Sequence, residues 1–204
     1  LARRFRKRFS RMVVDSTHFL FISQSTKNDF HLYYPHAGRN SNEQVVLLGG
    51  ETSAPPTLRE PDAPGYFLYV GGFDYRKNVD GLIRMFARSG LAARGMRLIL
   101  AGRMKELRRG SIEADVRDLG LSGAVVLEGF VDDALMAHLM SGATAFTFSS
   151  LYEGFGLPVL EAMAAGAPVV AFRNSSIPEV AGDAAILVDT EDEFITAMRQ
   201  LASD

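Results

Sequence analysis

The sequence predicts an α/β protein built on a doubly wound parallel sheet of the Rossmann-like kind. Three observations carry that prediction. From Tyr66 onward, short apolar runs alternate with amphipathic stretches. The runs are continuous rather than alternating, as strands are when both faces of a sheet are covered. Strands that interleave with helices in this way require repeated right-handed βαβ units.

The strands expected from these runs are Tyr66–Val70, Arg97–Ala101, Ala124–Leu127, Thr144–Phe148, Pro168–Phe172 and Ala185–Val188. Asn78–Ser89 reads as a helix because Val79, Leu82, Ile83, Phe86 and Ala87 fall on one face, with Asn78 as N-cap and Gly90 as stop. Asp132–Met140 is entered through Asp132 and Asp133 and closed by Gly142. Pro158–Ala165 begins with a proline at the first helical position, where a missing N–H costs nothing. Glu191–Leu201 follows Thr190 with Glu193 three residues later, a capping-box pattern.

Residues 1–65 read differently. Phe19–Ser23 and Gln44–Leu48 are expected as strands, with a helix from Thr26 to Tyr33 between them. Residues 51–65 hold four of the eight prolines and little periodicity, which marks a linker. The expected division is residues 1–57, the end of another domain plus the start of the linker, and residues 58–204, the doubly wound domain. The opening LARRFRKRFSRM carries six basic residues in eleven. It reads as a solvated helix face or as a surface that approaches anionic lipid.

Composition excludes several classes of function. The chain has 204 residues, 47% apolar and 23% charged, with a net charge of -2, so no global charge points to nucleic acid. The absence of cysteine removes disulfides, thiolate metal sites and cysteine nucleophiles. Four histidines are scattered without metal-ligand spacing; His18 and His138 read as structural, His31 and His36 as surface residues. No apolar run approaches the roughly 18 residues that a membrane helix needs. A cytoplasmic setting is expected, with peripheral contact at the inner face of a membrane open through the basic stretch.

In a doubly wound sheet, ligands bind beyond the carboxyl ends of the strands. Two strand-to-helix loops stand out there. The first runs from Gly71 and Gly72 to Arg76, Lys77 and Asn78. Its glycines let the backbone approach a ligand, and its two cations suit a diphosphate, arginine as a fork and lysine as a point charge. A tight turn with two solvated cations is the bland reading. The second loop, Ser149 to Pro158, places Gly154, Phe155, Gly156 and Leu157 just ahead of a helix, whose N–H groups and dipole make an anion site. Glu153 lies in this loop and Glu161 in the first turn of the helix. Carboxylates repel phosphate but accept well from sugar hydroxyls. Dipole stabilisation of about 0.3–1 kcal/mol would account for Glu161, though not for Glu153.

The segment SLYEGFGLPVLEAMAAGAPVVAF, Ser150 to Phe172, resembles the signature of the retaining glycosyltransferase family GT4, which has the two-lobed GT-B fold. Its paired glutamates are matched by Glu153 and Glu161. FLYVGGFDYRKNVDGLI resembles the family's glycine, arginine and lysine loop; LILAG and VVLEGFVDDALMAHLMSGA resemble its base-binding region, and SSIPEVAGDAAILVD its closing segment. The resemblance covers about residues 66–204. It implies that Arg76 and Lys77 bind the diphosphate and stabilise the leaving group, that Glu153 accepts donor-sugar hydroxyls, and that Glu161 accepts those of the ribose. It further implies that amides from Phe155 to Leu157 hold the distal phosphate, that Gly71 and Gly72 allow its close approach, and that Gly102, Arg103, Phe130 and Val131 surround the base. Retention of anomeric configuration, with no metal and no cofactor, follows from the family alone.

The resemblance also implies gaps. SRMVVDSTHFLFISQSTKNDF resembles the end of the family's N-terminal, acceptor-binding lobe, and no histidine here matches the one members place near the donor sugar. The chain starts at Leu1 rather than Met, so a donor-binding piece trimmed at both ends, with little turnover of its own, is expected. Donor and acceptor held together supply roughly 7–11 kcal/mol of such a barrier. SLYEGFGLPVLEAMA with SSIPEV resembles bacterial mannosyl- and rhamnosyl-type enzymes of surface-polysaccharide assembly, which favours GDP-mannose as donor, with UDP- and dTDP-sugars open, and a glycan on a lipid carrier as acceptor. A sugar-nucleotide epimerase on the same fold and a non-catalytic nucleotide-sugar-binding module are the alternatives. A nicotinamide dehydrogenase is excluded, because Gly154-Phe155-Gly156 lacks the third glycine of G-x-G-x-x-G.

Overall fold

A computed structural model describes residues 2–35, 41–50 and 65–203, which fall into two units, Leu1–Gly49 and Gly50–Asp204. The domain boundary expected at residues 57/58, the prolines around it and His36 lie outside the described residues, as do the basic side chains at positions 3–8.

The first unit consists of α1 (Ala2–Asp15), β1 (His18–Phe21), α2 (Gln24–Tyr33) and β2 (Asn42–Val45). Helix α2 starts two residues earlier than its apolar pattern suggested. Ser23 is its N-cap, and the hydroxyl accepts from the Thr26 amide at 3.0 Å. That cap ends β1 at Phe21, and the parallel register of His18 with Asn42 through Phe21 with Val45 then sets β2. The strand expected at Gln44–Leu48 is therefore displaced, and its apolar Leu47 and Leu48 are exposed. Val13, Phe21 and Phe30 form a small core flanked by Phe9, Phe19, Tyr34 and Val45.

The histidines depart from expectation. His18 is exposed and bonded to Thr17 and Asn42, and His138 is exposed on its helix, so neither is a core residue. His31 is half-buried instead, paired with Glu43 at 2.9 Å. Lys27 reaches the same carboxylate oxygen at 3.2 Å. Burial pushes the Glu43 carboxyl up, but hydrogen bonds from His31 and Lys27 outweigh it and hold the pKa below the ordinary value.

The second unit alternates β3 (Tyr66–Val70), α3 (Val79–Ser89), β4 (Arg97–Ala101), α4 (Glu106–Asp118), β5 (Val125–Gly129), α5 (Asp133–Ser141), β6 (Ala145–Phe148), α6 (Leu157–Ala164), β7 (Val169–Phe172), α7 (Ile177–Ala181), β8 (Ile186–Val188) and α8 (Glu191–Leu201). All six strands are parallel, in the order β5-β4-β3-β6-β7-β8. The sheet is doubly wound. Alternation along β3 shows both faces at work. Phe67 and Tyr69 pack with α3, α4 and α8, while Leu68 and Val70 pack with α5, α6 and α7. Each such fully buried large side chain stabilises by about 1.5–3 kcal/mol.

Caps set the helix ends as the sequence suggested in several places. Gly90 ends α3 in the left-handed conformation, Asp132 accepts from Leu135 at the start of α5, and Thr190 with Glu193 completes a capping box on α8. Asn78 occupies the N-cap of α3 without capping it; it is left-handed, with φ 51°, and its side chain makes no such bond. Helix α4 carries no clear stripe because only Ile112 and Val116 are buried along it, too few to mark a face. Helix α6 starts at Leu157, so Pro158 takes its second position.

Candidate active site

The strand order places the site. Chain segments after β3 build the sheet outward through β4 to β5, and β6 returns to the other side of β3. The order reverses between β3 and β6, and at such a switch point the two following loops diverge and open a crevice. The loops that leave it are those the sequence singled out, Gly71–Asn78 and Ser149–Gly156.

After β3 the chain turns through Gly71 and Gly72 into a short 3₁₀ turn, Tyr75–Lys77. Asp74 caps that turn, accepting from the Arg76 amide at 3.2 Å. Tyr69, buried in β3, donates its hydroxyl to the Gly72 carbonyl. Burial raises the Tyr69 phenol far above its ordinary range, and the Glu153 and Asp74 carboxylates add to the shift. Gly102 explains itself by contact: a Cβ there would lie 2.0 Å from the Gly71 carbonyl oxygen, at φ 142°. Its amide bonds to the Gly129 carbonyl, so the ends of β3, β4 and β5 are tied together.

Across the switch point the two loops interlock. The Leu151 amide donates to the Arg76 carbonyl at 2.8 Å, and the Ser149 hydroxyl donates to the carbonyls of Lys77 and Asn78 at 3.0 and 3.2 Å. The side chains then converge. Lys77 Nζ donates to Glu153 Oε1 at 2.7 Å, and Arg76 Nη1 to Glu153 Oε2 at 3.0 Å and to the Tyr152 carbonyl at 3.1 Å. The Glu153 side chain is 9% exposed, that of Lys77 13% and that of Arg76 43%. Lys77 also lies 5.5 Å above the Phe148 ring. One carboxylate thus sits between two cations, and only the arginine faces solvent broadly.

The glycine-rich stretch leads into α6 through Gly156, whose φ is 109° and ψ 43°; no side chain caps the helix. A Cβ at Gly156 would press to 2.7 Å from Ile177. Phe155 is buried, whereas Leu157, Leu151 and Tyr152 are exposed at the crevice. The Ser150 hydroxyl is buried and has no hydrogen-bond partner. Glu161 corrects the sequence reading: it lies in the second turn of α6, and the first turn holds no acid. Helix-dipole stabilisation does not account for it there, because the effect fades within one turn. Its carboxyl is instead pushed up, first by burial and then by the nearby Asp133 carboxylate.

The remaining expected residues divide in two. Arg103 stacks over the Phe130 ring at 4.4 Å, so the loops after β4 and β5 present a paired cationic and aromatic surface. Val131 points away from it and packs in the core with Phe148 and Val159. Residues that sequence reasoning missed are Tyr69, Ser149 and the triplet Asn174-Ser175-Ser176. Their signal was weak, since hydroxyls after a strand read as an ordinary turn.

Comparison with known proteins then decides the family. Residues 64–204 match the family model described as "Glycosyl transferases group 1". The chain belongs to that family. This glycosyltransferase chain is 38% identical over 138 residues to the O-antigen chain mannosyltransferase B of Escherichia coli, covering 63% of the chain and 34% of that relative. It is 26% identical over 176 residues to the O-antigen chain mannosyltransferase RfbU of Salmonella typhimurium, covering 86% of the chain and 48% of RfbU. The chain thus spans between a third and a half of these two relatives. Among solved structures, the fold matches WaaG, a glycosyltransferase involved in lipopolysaccharide biosynthesis, with a TM-score of 0.79 at 20% identity over 98% of this chain and 59% of that one. It matches Anabaena Alr3699/HepE, solved with UDP and glucose, with a TM-score of 0.82 at 18% identity over 99% of this chain and 58% of that one. These neighbours are GT-B glycosyltransferases. No described helix is long and apolar enough to cross a membrane.

Proposed function

We propose that this chain is the donor-binding part of a glycosyltransferase that moves a hexosyl group from a nucleotide-diphosphate sugar to a glycan or lipid-linked acceptor. One observation carries the reading: Arg76 and Lys77 converge at the switch point beside the uncapped start of α6. Two cations and a helix N-terminus give a positive potential suited to a leaving diphosphate. Arg76, Lys77 and Glu153 are the catalytic set. The cations stabilise the diphosphate as the glycosidic bond breaks, and Glu153 accepts sugar hydroxyls. Amides from Phe155 to Leu157 take the distal phosphate, with Gly71 and Gly72 letting it approach.

Glu161 accepts the ribose hydroxyls, where its raised carboxyl finds donors that favour the ionised form. Gly102, Arg103, Phe130 and the Val131 backbone frame the base. The charge of the leaving group is met by protein cations, so the reaction proceeds without a metal or cofactor. It retains anomeric configuration, by front-face attack assisted by the departing phosphate. Both relatives are O-antigen chain mannosyltransferases, which favours GDP-mannose and a surface-polysaccharide acceptor. A cytoplasmic enzyme with peripheral contact to the inner membrane face fits such an acceptor.

The test is thermal stabilisation of the chain by GDP, UDP, dTDP and ADP, each with and without EDTA. At about 100 times Kd a ligand stabilises by roughly 2.7 kcal/mol. One diphosphate should raise the melting temperature regardless of EDTA, and Lys77→Ala should abolish the shift. Absence of any shift in a chain that retains its partner lobe would refute the assignment.

A further inference from the structure

Three consecutive side chains of the β7–α7 loop hold the backbone on which Glu153 stands. Asn174 Nδ2 donates to the Ser150 carbonyl at 2.9 Å. The Glu153 amide donates to Ser175 Oγ at 2.9 Å, and Ser175 in turn donates to Asn174 Oδ1 at 3.0 Å. Ser176 is fully buried, and its hydroxyl is placed to donate to the Glu153 carbonyl at 3.1 Å and the Phe155 carbonyl at 2.7 Å. Both peptide groups flanking the Glu153 side chain are therefore fixed by the same loop. Ser175 adopts φ 45°, a left-handed conformation that glycine or asparagine takes with less strain. Backbone shape alone gives no reason for serine at that position. A hydroxyl that accepts from Glu153 and donates to Asn174 does.

We propose that Asn174, Ser175 and Ser176 are positioning residues that set the Glu153 carboxylate at the height where it meets both the cations and the donor sugar. This rests on the donor-site reading above. The hydrogen bonds of the triplet go to one another and to backbone at Ser150, Glu153 and Phe155, so it reaches the site by holding the loop that carries Glu153. A displacement of the loop would lengthen the 2.7 and 3.0 Å contacts of Glu153 to Lys77 and Arg76. The sugar contact suffers most, because the diphosphate retains its cations and helix amides whatever Glu153 does.

Calorimetric titration of the full chain with GDP against GDP-mannose, and UDP against UDP-glucose, tests this. The readout is the ratio of the two dissociation constants within the pair that binds. Ser175→Gly relieves the strained backbone and removes the acceptor; Ser176→Ala removes the donor, and Ser176→Thr restores it. We expect Ser175→Gly and Ser176→Ala to weaken the nucleotide sugar about tenfold relative to the nucleoside diphosphate, with Ser176→Thr near wild type. In a Glu153→Gln background the same changes should leave the ratio within twofold, since neighbours acting through one group are not additive. A ratio that does not move, or one that moves equally with Glu153 already replaced, overturns the positioning role while leaving the donor site standing. A wild-type protein that retains its partner lobe and binds no nucleoside diphosphate and no nucleotide sugar overturns both.

Discussion

Replacing Glu153 with glutamine should move stability and nucleotide affinity in opposite directions. In the ligand-free chain this carboxylate is the counterion of Lys77 and Arg76. The Lys77 contact is nearly buried, so removing its partner approaches the 3–5 kcal/mol cost of stranding a buried charge, given as a rough figure for fully buried pairs. Arg76 is 43% exposed and water replaces most of what it loses, roughly 0–1 kcal/mol. Glutamine still fills the space and offers one acceptor, which leaves a net loss of about 2–3 kcal/mol. For a chain of this length that is a fall of about 4–12 °C in Tm. A diphosphate on the same cations brings further negative charge close to the carboxylate, on the order of 4 Å for the nearest pair. Their repulsion is about 1 kcal/mol at the dielectric of water and about 4 at an effective value of 20. Relief of that repulsion should tighten GDP or UDP by tenfold or more, since about 1.4 kcal/mol is a factor of ten. Differential scanning calorimetry and isothermal titration read both numbers on one sample. Unchanged Tm together with weaker diphosphate binding would show that Glu153 is not the cations' counterion and refute the reasoning.

Other substitutions have equally definite outcomes. Gly102→Ala forces a Cβ to 2.0 Å from the Gly71 carbonyl at a left-handed φ, and should cost at least about 2 kcal/mol, visible as a lowered urea midpoint. Glu161→Gln should stabilise the ligand-free chain at neutral pH. The folded pKa of Glu161 is raised, so its favourable contribution is complete below the ordinary carboxyl pKa and is lost as pH rises through the folded value. Melts from pH 4 to 8 should therefore decline less in the variant, and an identical decline would count against a burial cost at Glu161. Arg103→Ala should leave the fold intact and lose about 0.5–1 kcal/mol of stacking on Phe130, with fluorescence titration showing whether a bound base suffers the same loss.

What could be read from the sequence, and what could not, follows from the range of each interaction. The doubly wound sheet was legible because its signal is local: an apolar run, a cap and a glycine stop recur at each βα unit, as in Val79–Gly90. The two loops were legible for the same reason, since Gly71–Asn78 and Ser149–Gly156 each follow a strand. Strand β2 was misplaced because its position depends on partners about 24 residues away, such as His18 with Asn42, and hydropathy in Leu47 and Leu48 pointed elsewhere. Helix α4 escaped notice because one row of two buried side chains makes a weak period. Glu161 was misread by one turn, because helix starts shift by a residue or two without visible cause in the chain.

The largest difference lies in electrostatics. From sequence, Arg76 and Lys77 were two cations suited to a diphosphate, and Glu153 an acid that would repel the phosphate expected beside it. The strand order resolves the difficulty by bringing positions separated by 76 and 77 residues within hydrogen-bond distance. Glu153 is near the cations because β6 returns beside β3, and there it pairs with both of them. Folding thereby assembles a site that is polarised yet not overloaded with positive charge before any ligand arrives. On the proposed donor site, a diphosphate would exchange one counterion for another and free the carboxylate to accept from the sugar. On the proposed positioning role, the loop that fixes the Glu153 backbone would set the height of that carboxylate when the exchange occurs.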